Sequence, residues 1–156
     1  MALYLVQHGK AAPAGIDPER GLTAEGRSET ERIADVARGY GVAVSSILHS
    51  GKKRALQTAE IFADRLGADF DTTGGMDPND DVAAFAARIS AADNRMLVGH
   101  LPFMEKLAAY LVTGSAERPV FRFQNSGIVC LDINEPAGTW VIIWALMPHI
   151  GRSFPF

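Results

Sequence analysis

The sequence begins with Ala2-Leu3-Tyr4-Leu5-Val6-Gln7-His8-Gly9, a short apolar run that stops at a histidine. The run is too short for a helix, and its Tyr and Val residues favour a buried β-strand. The same pattern returns twice, because Val42 to Leu48 precedes His49-Ser50 and Met96 to Val98 precedes Gly99-His100. Stretches with helical spacing follow these runs. Strands that alternate with helices predict a largely parallel sheet covered on both faces.

Four stretches show apolar residues at helical spacing. We expect Thr23 to cap the first helix and Gly39 and Gly41 to close it, and Gly67 to stop the second. A short strand is predicted at Ala68 to Thr72, and a loop at Thr73 to Asp81. The apolar positions are Ile33, Val36, Ala37 and Tyr40 in the first helix; Ala55, Ala59, Phe62, Ala63 and Leu66 in the second; Val82, Phe85, Ala86 and Ile89 in the third; Met104, Leu107, Ala108 and Leu111 in the fourth.

The last third of the chain has a different character. Val120 to Phe123, Gly127 to Ile133 and Thr139 to Leu146 are β-rich runs, and only the turn Asn134 to Gly138 separates the last two. The sequence therefore predicts an α/β fold with a mostly parallel mixed sheet and a C-terminal antiparallel hairpin. Residues 1–156 are expected to form a single domain.

Composition narrows the class of protein. Of the 156 residues 47% are hydrophobic, and the single cysteine, Cys130, excludes an internal disulfide. The net charge of −3 gives no electrostatic footprint for nucleic acid. No apolar run approaches the ~20 residues of a membrane span. We therefore expect a cytoplasmic protein without nucleic-acid or membrane partners.

Three of the four histidines fall at predicted strand ends, namely His8, His49 and His100. Ligands of open α/β sheets bind beyond the carboxyl ends of the strands, where helix N-termini suit an anion. Lys52, Lys53 and Arg54 are predicted in the first turn of the second helix, which is unfavourable for cations unless an anion is bound. The pattern indicates a phosphate site.

Four motifs resemble the histidine phosphatase superfamily, and in particular its small phosphohistidine-phosphatase branch. They run in family order over most of the chain: Leu5-Val6-Gln7-His8-Gly9-Lys10-Ala11, Gly21-Leu22-Thr23-Ala24-Glu25-Gly26-Arg27, His49-Ser50-Gly51-Lys52-Lys53-Arg54-Ala55-Leu56-Gln57-Thr58-Ala59-Glu60 and Leu97-Val98-Gly99-His100-Leu101-Pro102. The resemblance implies a three-layer α/β/α sandwich of the phosphoglycerate mutase-like kind.

The resemblance also implies phosphoryl transfer in two steps. His8 would be the nucleophile that forms a phosphohistidine intermediate, and water would then hydrolyse it. Arg54 and His100 would bind the transferred phosphoryl group. The scheme needs no metal and no cofactor. The candidate phosphate-binding residues are Gln7, Gly9, Lys10, Ser50 and Lys52.

Gln7 departs from the family pattern, in which most members have Arg-His-Gly. An amide offers only neutral donors, and charged hydrogen bonds are roughly twice as strong. Weaker phosphate binding is therefore expected, unless Lys10, Lys52 or Lys53 restores the charge.

The proton donor for a leaving alcohol is also not evident. The loop after the second helix offers Asp77, Asp80 and Asp81 without a recognisable motif. A phosphoramidate needs such an acid less, because an imidazole protonated on its distal nitrogen leaves as a neutral molecule. The primary hypothesis is thus a phosphatase for phosphohistidine on a protein, such as a phosphotransfer domain of a signalling relay.

Other readings remain open at this stage. They are a phosphatase for small phosphate esters, a catalytically weak phosphate- or phosphoprotein-binding module, and a metal site formed by His8, His49 and His100. The Asn125-Ser126-Gly127 stretch is expected to be a plain turn, with a polar group near the phosphate as the alternative, and His149 is expected to have no role. The sequence does not indicate the oligomeric state.

Overall fold

The structure is a computed structural model that describes residues 1–151. Six strands and four α-helices follow one another along the chain, with a 3₁₀ turn at Ala91–Asp93. The elements are β1 (Leu3–Gln7), α1 (Ala24–Gly39), β2 (Ser46–His49), α2 (Lys53–Leu66), β3 (Asp69–Thr72), α3 (Val82–Ala86), β4 (Arg95–Gly99), α4 (Phe103–Thr113), β5 (Ile128–Asn134) and β6 (Thr139–Leu146).

The strands form one mixed sheet in the order β3-β2-β4-β1-β5-β6. β1, β2, β3 and β4 run parallel, whereas β5 pairs antiparallel with both β1 and β6. The predicted mostly parallel sheet with a C-terminal antiparallel hairpin is confirmed. β1 and β4 are central neighbours, so their carboxyl ends lie side by side.

Helices cover both faces of the sheet, which gives the predicted three layers. Alternate β1 residues face opposite sides, as the pleat of a strand requires. Tyr4 and Val6 belong to a core that includes residues of α1 and α2, while Leu3 and Leu5 belong to a core that includes residues of α3 and α4. No helix among residues 1–151 combines the length and the apolar content needed to cross a membrane.

Thr23 caps α1 as predicted, because its hydroxyl accepts the Gly26 N–H at 2.9 Å. Gly39 and Gly41 close α1 as predicted, since the helix ends at Gly39 and Gly41 turns the chain at φ +79°. The predicted place of Tyr40 on the apolar face of this helix was wrong, because Tyr40 follows the last turn and is 85% exposed.

Two further elements are shorter than predicted. β2 starts only at Ser46, because Val42 to Ser45 run outside the register of the β4 pairing, although Val42 and Val44 still pack on the core. α3 ends at Ala86 rather than reaching Ile89, which packs on the core from the following turn.

The predicted strand at Val120 to Phe123 does not form. The segment runs alongside the start of α4, and the Phe123 N–H donates to a Glu105 carboxylate oxygen at 2.8 Å instead of to a strand. Phe123 and its neighbours carry β-favouring side chains because they pack on the core, so local composition misled the prediction.

Candidate active site

The register of β1 and β4 brings His8 and His100 together. Gln7 is paired with Gly99 in the ladder, and the His8 N–H donates to the Gly99 carbonyl at 2.9 Å. The next residue of each strand is therefore a neighbour of the other, and the two imidazole centroids lie 5.0 Å apart. The predicted convergence of these two histidines is found.

The backbone around His8 is held from several sides. The Ser126 N–H donates to the Gln7 carbonyl, and the Asn125 side-chain amide donates to the His8 carbonyl, each at 2.9 Å. The Gly9 N–H donates to the buried Thr58 hydroxyl at 2.8 Å. Side chains from α2 and from the turn before β5 thus fix the strand end, and the expected plain turn at Asn125 contributes to the site.

Gly9 is required by close packing. A Cβ at this position would lie 2.7 Å from the Thr30 hydroxyl oxygen, which is closer than real Cβ atoms approach. Gly9 was a candidate for phosphate binding. The close approach of α1 to the end of β1 is a structural reason for a glycine at this position.

His8 presents a neutral nucleophilic nitrogen. Its Nδ1 lies 2.7 Å from the Gly9 carbonyl oxygen, which can only accept, so Nδ1 carries the proton and Nε2 keeps its lone pair. Burial lowers the pKa of His8 to about 4; the bond to Gly9 opposes this shift, and the cations of Arg54 and Arg20 add to it. The imidazole is therefore neutral at neutral pH.

His100 is oriented by Ser50. The Ser50 hydroxyl oxygen lies 2.6 Å from His100 Nε2 and also accepts the Lys52 N–H at 3.4 Å. With the hydroxyl proton directed at Nε2, the ring carries its own proton on Nδ1, which then faces the cavity as a donor. Burial lowers the pKa of His100 to about 3, with further contributions from His8, Arg54, Lys52 and Arg20.

Three buried polar atoms lack a hydrogen-bond partner among the described residues: Gln7 Oε1, Arg54 Nε and His100 Nδ1. Buried polar groups are nearly always paired, so such a cluster is typical of a ligand site. The pKa of Arg54 is lowered by burial and by the nearby Arg20 cation. A bound anion would satisfy the two donors, Arg54 Nε and His100 Nδ1.

These residues line a cavity of about 450 Å³, called here the histidine cavity. Gly9, Ser50 and Lys52 do not line it, and Ser50 acts on the cavity only through His100. Arg20 is a polar residue of the lining that was not anticipated, and Asn125 lines the cavity although a plain turn was preferred there. The full lining is Gln7, His8, Lys10, Ala11, Arg20, Arg54, Pro78, His100, Leu101 and Asn125.

Two of the three lysines near the site, Lys10 and Lys53, form ion pairs with carboxylates. Lys10 lines the cavity but forms an ion pair with Glu25 at 2.7 Å. Lys53 is paired with Glu19 at 3.0 Å and lies 3.9 Å from Asp17. Carboxylates thus offset the charge of Lys53, whereas Arg54, in the same first turn of α2, has no carboxylate partner among residues 1–151 and lines the cavity, as the expectation of a bound anion requires.

The acidic residues after β3 do not reach the cavity. Of that loop only Pro78 lines it, while Asp77 and Asp80 are exposed and the Asp77 N–H donates to the Asp80 carboxylate. Among residues 1–151, no carboxylate belongs to the lining of the histidine cavity.

The position of His49 contradicts the hypothesis that His8, His49 and His100 form a metal site. Its Nδ1 accepts the Gly51 N–H at 3.0 Å, and its ring lies against Phe70 rather than in the cavity. Within the described part of the chain, no three His, Cys, Asp or Glu side chains are arranged to hold a metal ion.

His149 was wrongly expected to have no role. Its Nε2 lies 2.7 Å from a carboxylate oxygen of the largely buried Glu29, and its N–H donates to the Gln124 side chain. It ties the segment after β6 to α1 beside a larger groove of about 1010 Å³. This adjoining groove shares Lys10, Leu101 and Asn125 with the histidine cavity.

Comparison with known proteins gives a consistent result. Residues 3–77 match the family model of the histidine phosphatase superfamily (branch 1). The phosphohistidine phosphatase SixA of Escherichia coli (strain K12) is 30% identical over 156 residues, which covers 95% of this chain and 94% of that protein.

Solved structures agree in fold. A structure of the protein histidine phosphatase SixA complexed with tungstate superposes with a TM-score of 0.81 at 29% identity, covering 95% of this chain and 97% of the other. A mycobacterial glucosyl-3-phosphoglycerate phosphatase shares the fold alone, with a TM-score of 0.68 at 14% identity over 93% of this chain and 96% of that one.

Proposed function

Since the chain belongs to the histidine phosphatase superfamily, we propose that it hydrolyses phosphohistidine on a protein substrate through a phosphorylated His8. The observation that carries the proposal is the composition of the histidine cavity. It combines a neutral imidazole with Arg54, Arg20 and His100, and its lining within residues 1–151 holds no carboxylate.

The proposed first step transfers the phosphoryl group to His8. Nε2 attacks phosphorus as the substrate P–N bond breaks, and the electron pair of that bond returns to the leaving imidazole nitrogen. An imidazole that carries a proton on its distal nitrogen then leaves neutral, so no acid in the enzyme is required. Arg54 and the Nδ1–H of His100 stabilise the charge on the non-bridging oxygens.

The second step reverses the roles at the same nitrogen. Water forms a P–O bond, the bond from His8 Nε2 to phosphorus breaks, and the electron pair returns to Nε2 while the water proton passes to solvent. The Gly9 carbonyl holds the proton on His8 Nδ1 in both steps, so His8 is itself a neutral leaving group. Its low pKa favours this neutral form.

A polypeptide substrate fits the surroundings of the cavity. The adjoining groove continues from the shared residues Lys10, Leu101 and Asn125 along the start of α4 and the segment 119–125. Its volume of about 1010 Å³ exceeds that of the histidine cavity and offers room for the chain that carries the phosphorylated residue. An alcohol ester, by contrast, would find no carboxylic acid among the described residues that line the cavity.

A single-turnover assay with a radiolabelled phosphohistidine protein tests the proposal. We expect label to appear on the wild-type chain and then to be released as phosphate, and no label on the His8→Ala variant. His49→Gln is the matched control, because this histidine also ends a strand but lies outside the cavity. The control is expected to label normally.

Two outcomes would overturn the proposal. Faster turnover of a simple alkyl phosphate than of the phosphohistidine protein would indicate an ester phosphatase. Phosphate binding without any label on the chain or release of phosphate would indicate a binding module.

A further inference from the structure

Gln7 is neutral, so the site lacks the positive charge that the arginine of an Arg-His-Gly motif would supply. None of the lysines considered at the sequence level replaces that charge. Lys10 and Lys53 are paired with carboxylates, and Lys52 lies outside the cavity lining. The remaining cation that lines the histidine cavity besides Arg54 is Arg20. Arg20 forms no ion pair with any carboxylate among residues 1–151.

Hydrogen bonds to Asp17 hold the loop that carries Arg20, before α1. The Asp17 carboxylate accepts the N–H groups of Glu19 and Gly21 at 3.0 and 2.8 Å, and the Asp17 carbonyl accepts the Arg20 N–H at 2.9 Å. The flanking residues Ala11 and Leu22 form an antiparallel bridge that brings the loop back to the end of β1.

Arg20 itself has a left-handed backbone conformation with φ of +52°. Such a conformation is uncommon for residues other than glycine, and it persists where the surroundings impose it. Its Nε donates to the Ala12 carbonyl at 3.2 Å. The terminal amino groups of this exposed side chain have no hydrogen-bond partner among residues 1–151.

The positive charge of Arg20 affects the pKa values of three groups that line the cavity. It lowers the pKa values of His8, Arg54 and His100 together with burial of each group. Arg20 and Arg54 line one cavity whose lining within residues 1–151 holds no carboxylate. Two guanidinium groups placed in this way suit a dianion, since a phosphoryl group can accept from both.

We propose that Arg20 supplies the second guanidinium for the phosphoryl group, in place of the arginine that Gln7 replaces. This inference rests on the proposed function, because it assigns a phosphate-binding residue to the same cavity. An arginine at position 7 and an arginine at position 20 would then be two alternative ways to place a second guanidinium in the cavity.

The test exchanges the two residues. The probe is inorganic phosphate, and the affinity is measured by titration calorimetry in four proteins: wild type, Arg20→Gln, Gln7→Arg and the variant with both changes. Loss of a hydrogen bond to a charged group weakens binding by about tenfold to a hundredfold in Arg20→Gln. We expect the double variant to recover to within about threefold of wild type, since it moves the guanidinium to the other wall of the cavity.

Two further variants keep the test decisive if the exchange disturbs folding. Arg20→Lys retains the charge without the planar fork and is expected to bind phosphate between wild type and Arg20→Gln. Arg27→Gln removes an exposed arginine on α1 and is expected to bind as wild type. Unchanged affinity in a folded Arg20→Gln, or an equal loss in Arg27→Gln, would overturn the inference.

Phosphate affinity and covalent labelling separate the two proposals. Affinity reports on Arg20 whether or not His8 becomes phosphorylated. A wild-type chain that binds phosphate through Arg20 but never carries label would contradict the proposed function while leaving the role of Arg20 in anion binding intact.

Discussion

The protonation state of His8 gives the most direct quantitative prediction. With a pKa of about 4, about nine-tenths of His8 is neutral at pH 5. A histidine at the ordinary pKa of about 6.5 would be only about 3% neutral at that pH, roughly a thirtyfold difference in available nucleophile. Burial and the cations of Arg54 and Arg20 are the physical reasons for the difference.

The measurement is a nitrogen-15 NMR titration of histidine-labelled protein between pH 8 and pH 5, with the His8 signals assigned from a His8→Gln variant. Over this range we expect the His8 shifts to move by no more than about a tenth of the full protonation change, with Nδ1 protonated and Nε2 predominantly bare. The urea-unfolded chain, in which the same residue is solvated, serves as the reference. An inflection near pH 6.5 in the folded protein would refute the reasoning.

The same depressed pKa makes folding sensitive to acid. Between about pH 6.5 and pH 4 the unfolded chain binds a proton at position 8 and the folded chain does not. The unfolded state therefore binds more protons, and the free energy of unfolding decreases as the pH falls through this window. We expect His8→Gln to show a shallower decrease than wild type in urea titrations at pH 7 and pH 5, and an identical slope would contradict the assignment.

The remaining predictions concern packing and orientation. Gly26→Ala places a Cβ in collision with the Lys10 carbonyl oxygen, and we expect urea unfolding to show a loss of about 1–3 kcal/mol or more. Gly39→Ala, in the same helix with no atom within 4 Å of the added Cβ, is the control and is expected to gain about 0.5–1 kcal/mol; equal effects would refute the clash. Ser50→Ala removes the partner of His100 Nε2, and we expect about tenfold slower phosphoryl transfer together with a mixture of His100 tautomers in nitrogen-15 spectra. A slower reaction with an unchanged tautomer would assign Ser50 a different role.

The central part of the site was predictable because it depends on strand direction. Parallel strands end at the same edge of a sheet, so His8 and His100 had to be neighbours once β1 and β4 were recognised. Arg54 follows from the helix that begins after His49. These positions need only the order of the elements and the periodicity of the apolar residues.

Arg20 could not be predicted in the same way. It lies in a loop whose course depends on the Asp17 turn and on the bridge between Ala11 and Leu22, and neither leaves a periodic signal. The failed strand at Val120 to Phe123 has a related cause, since β-favouring side chains form a strand only where a partner strand is available. The sequence also suggested that Lys10 or Lys53 could supply the charge missing at Gln7. This could not be judged from the sequence, because the carboxylates that pair with these lysines are distant in sequence.

The pairing of Gln7 with Gly99 has a consequence for how the protein can change. A strand advances by about 3.3 Å per residue and turns its side chains to the opposite face, so one inserted residue in either strand would separate the two imidazoles. Insertions in the loop that carries Arg20 or at the rim of the adjoining groove leave this register intact. These segments can therefore change in length while the two imidazoles stay adjacent.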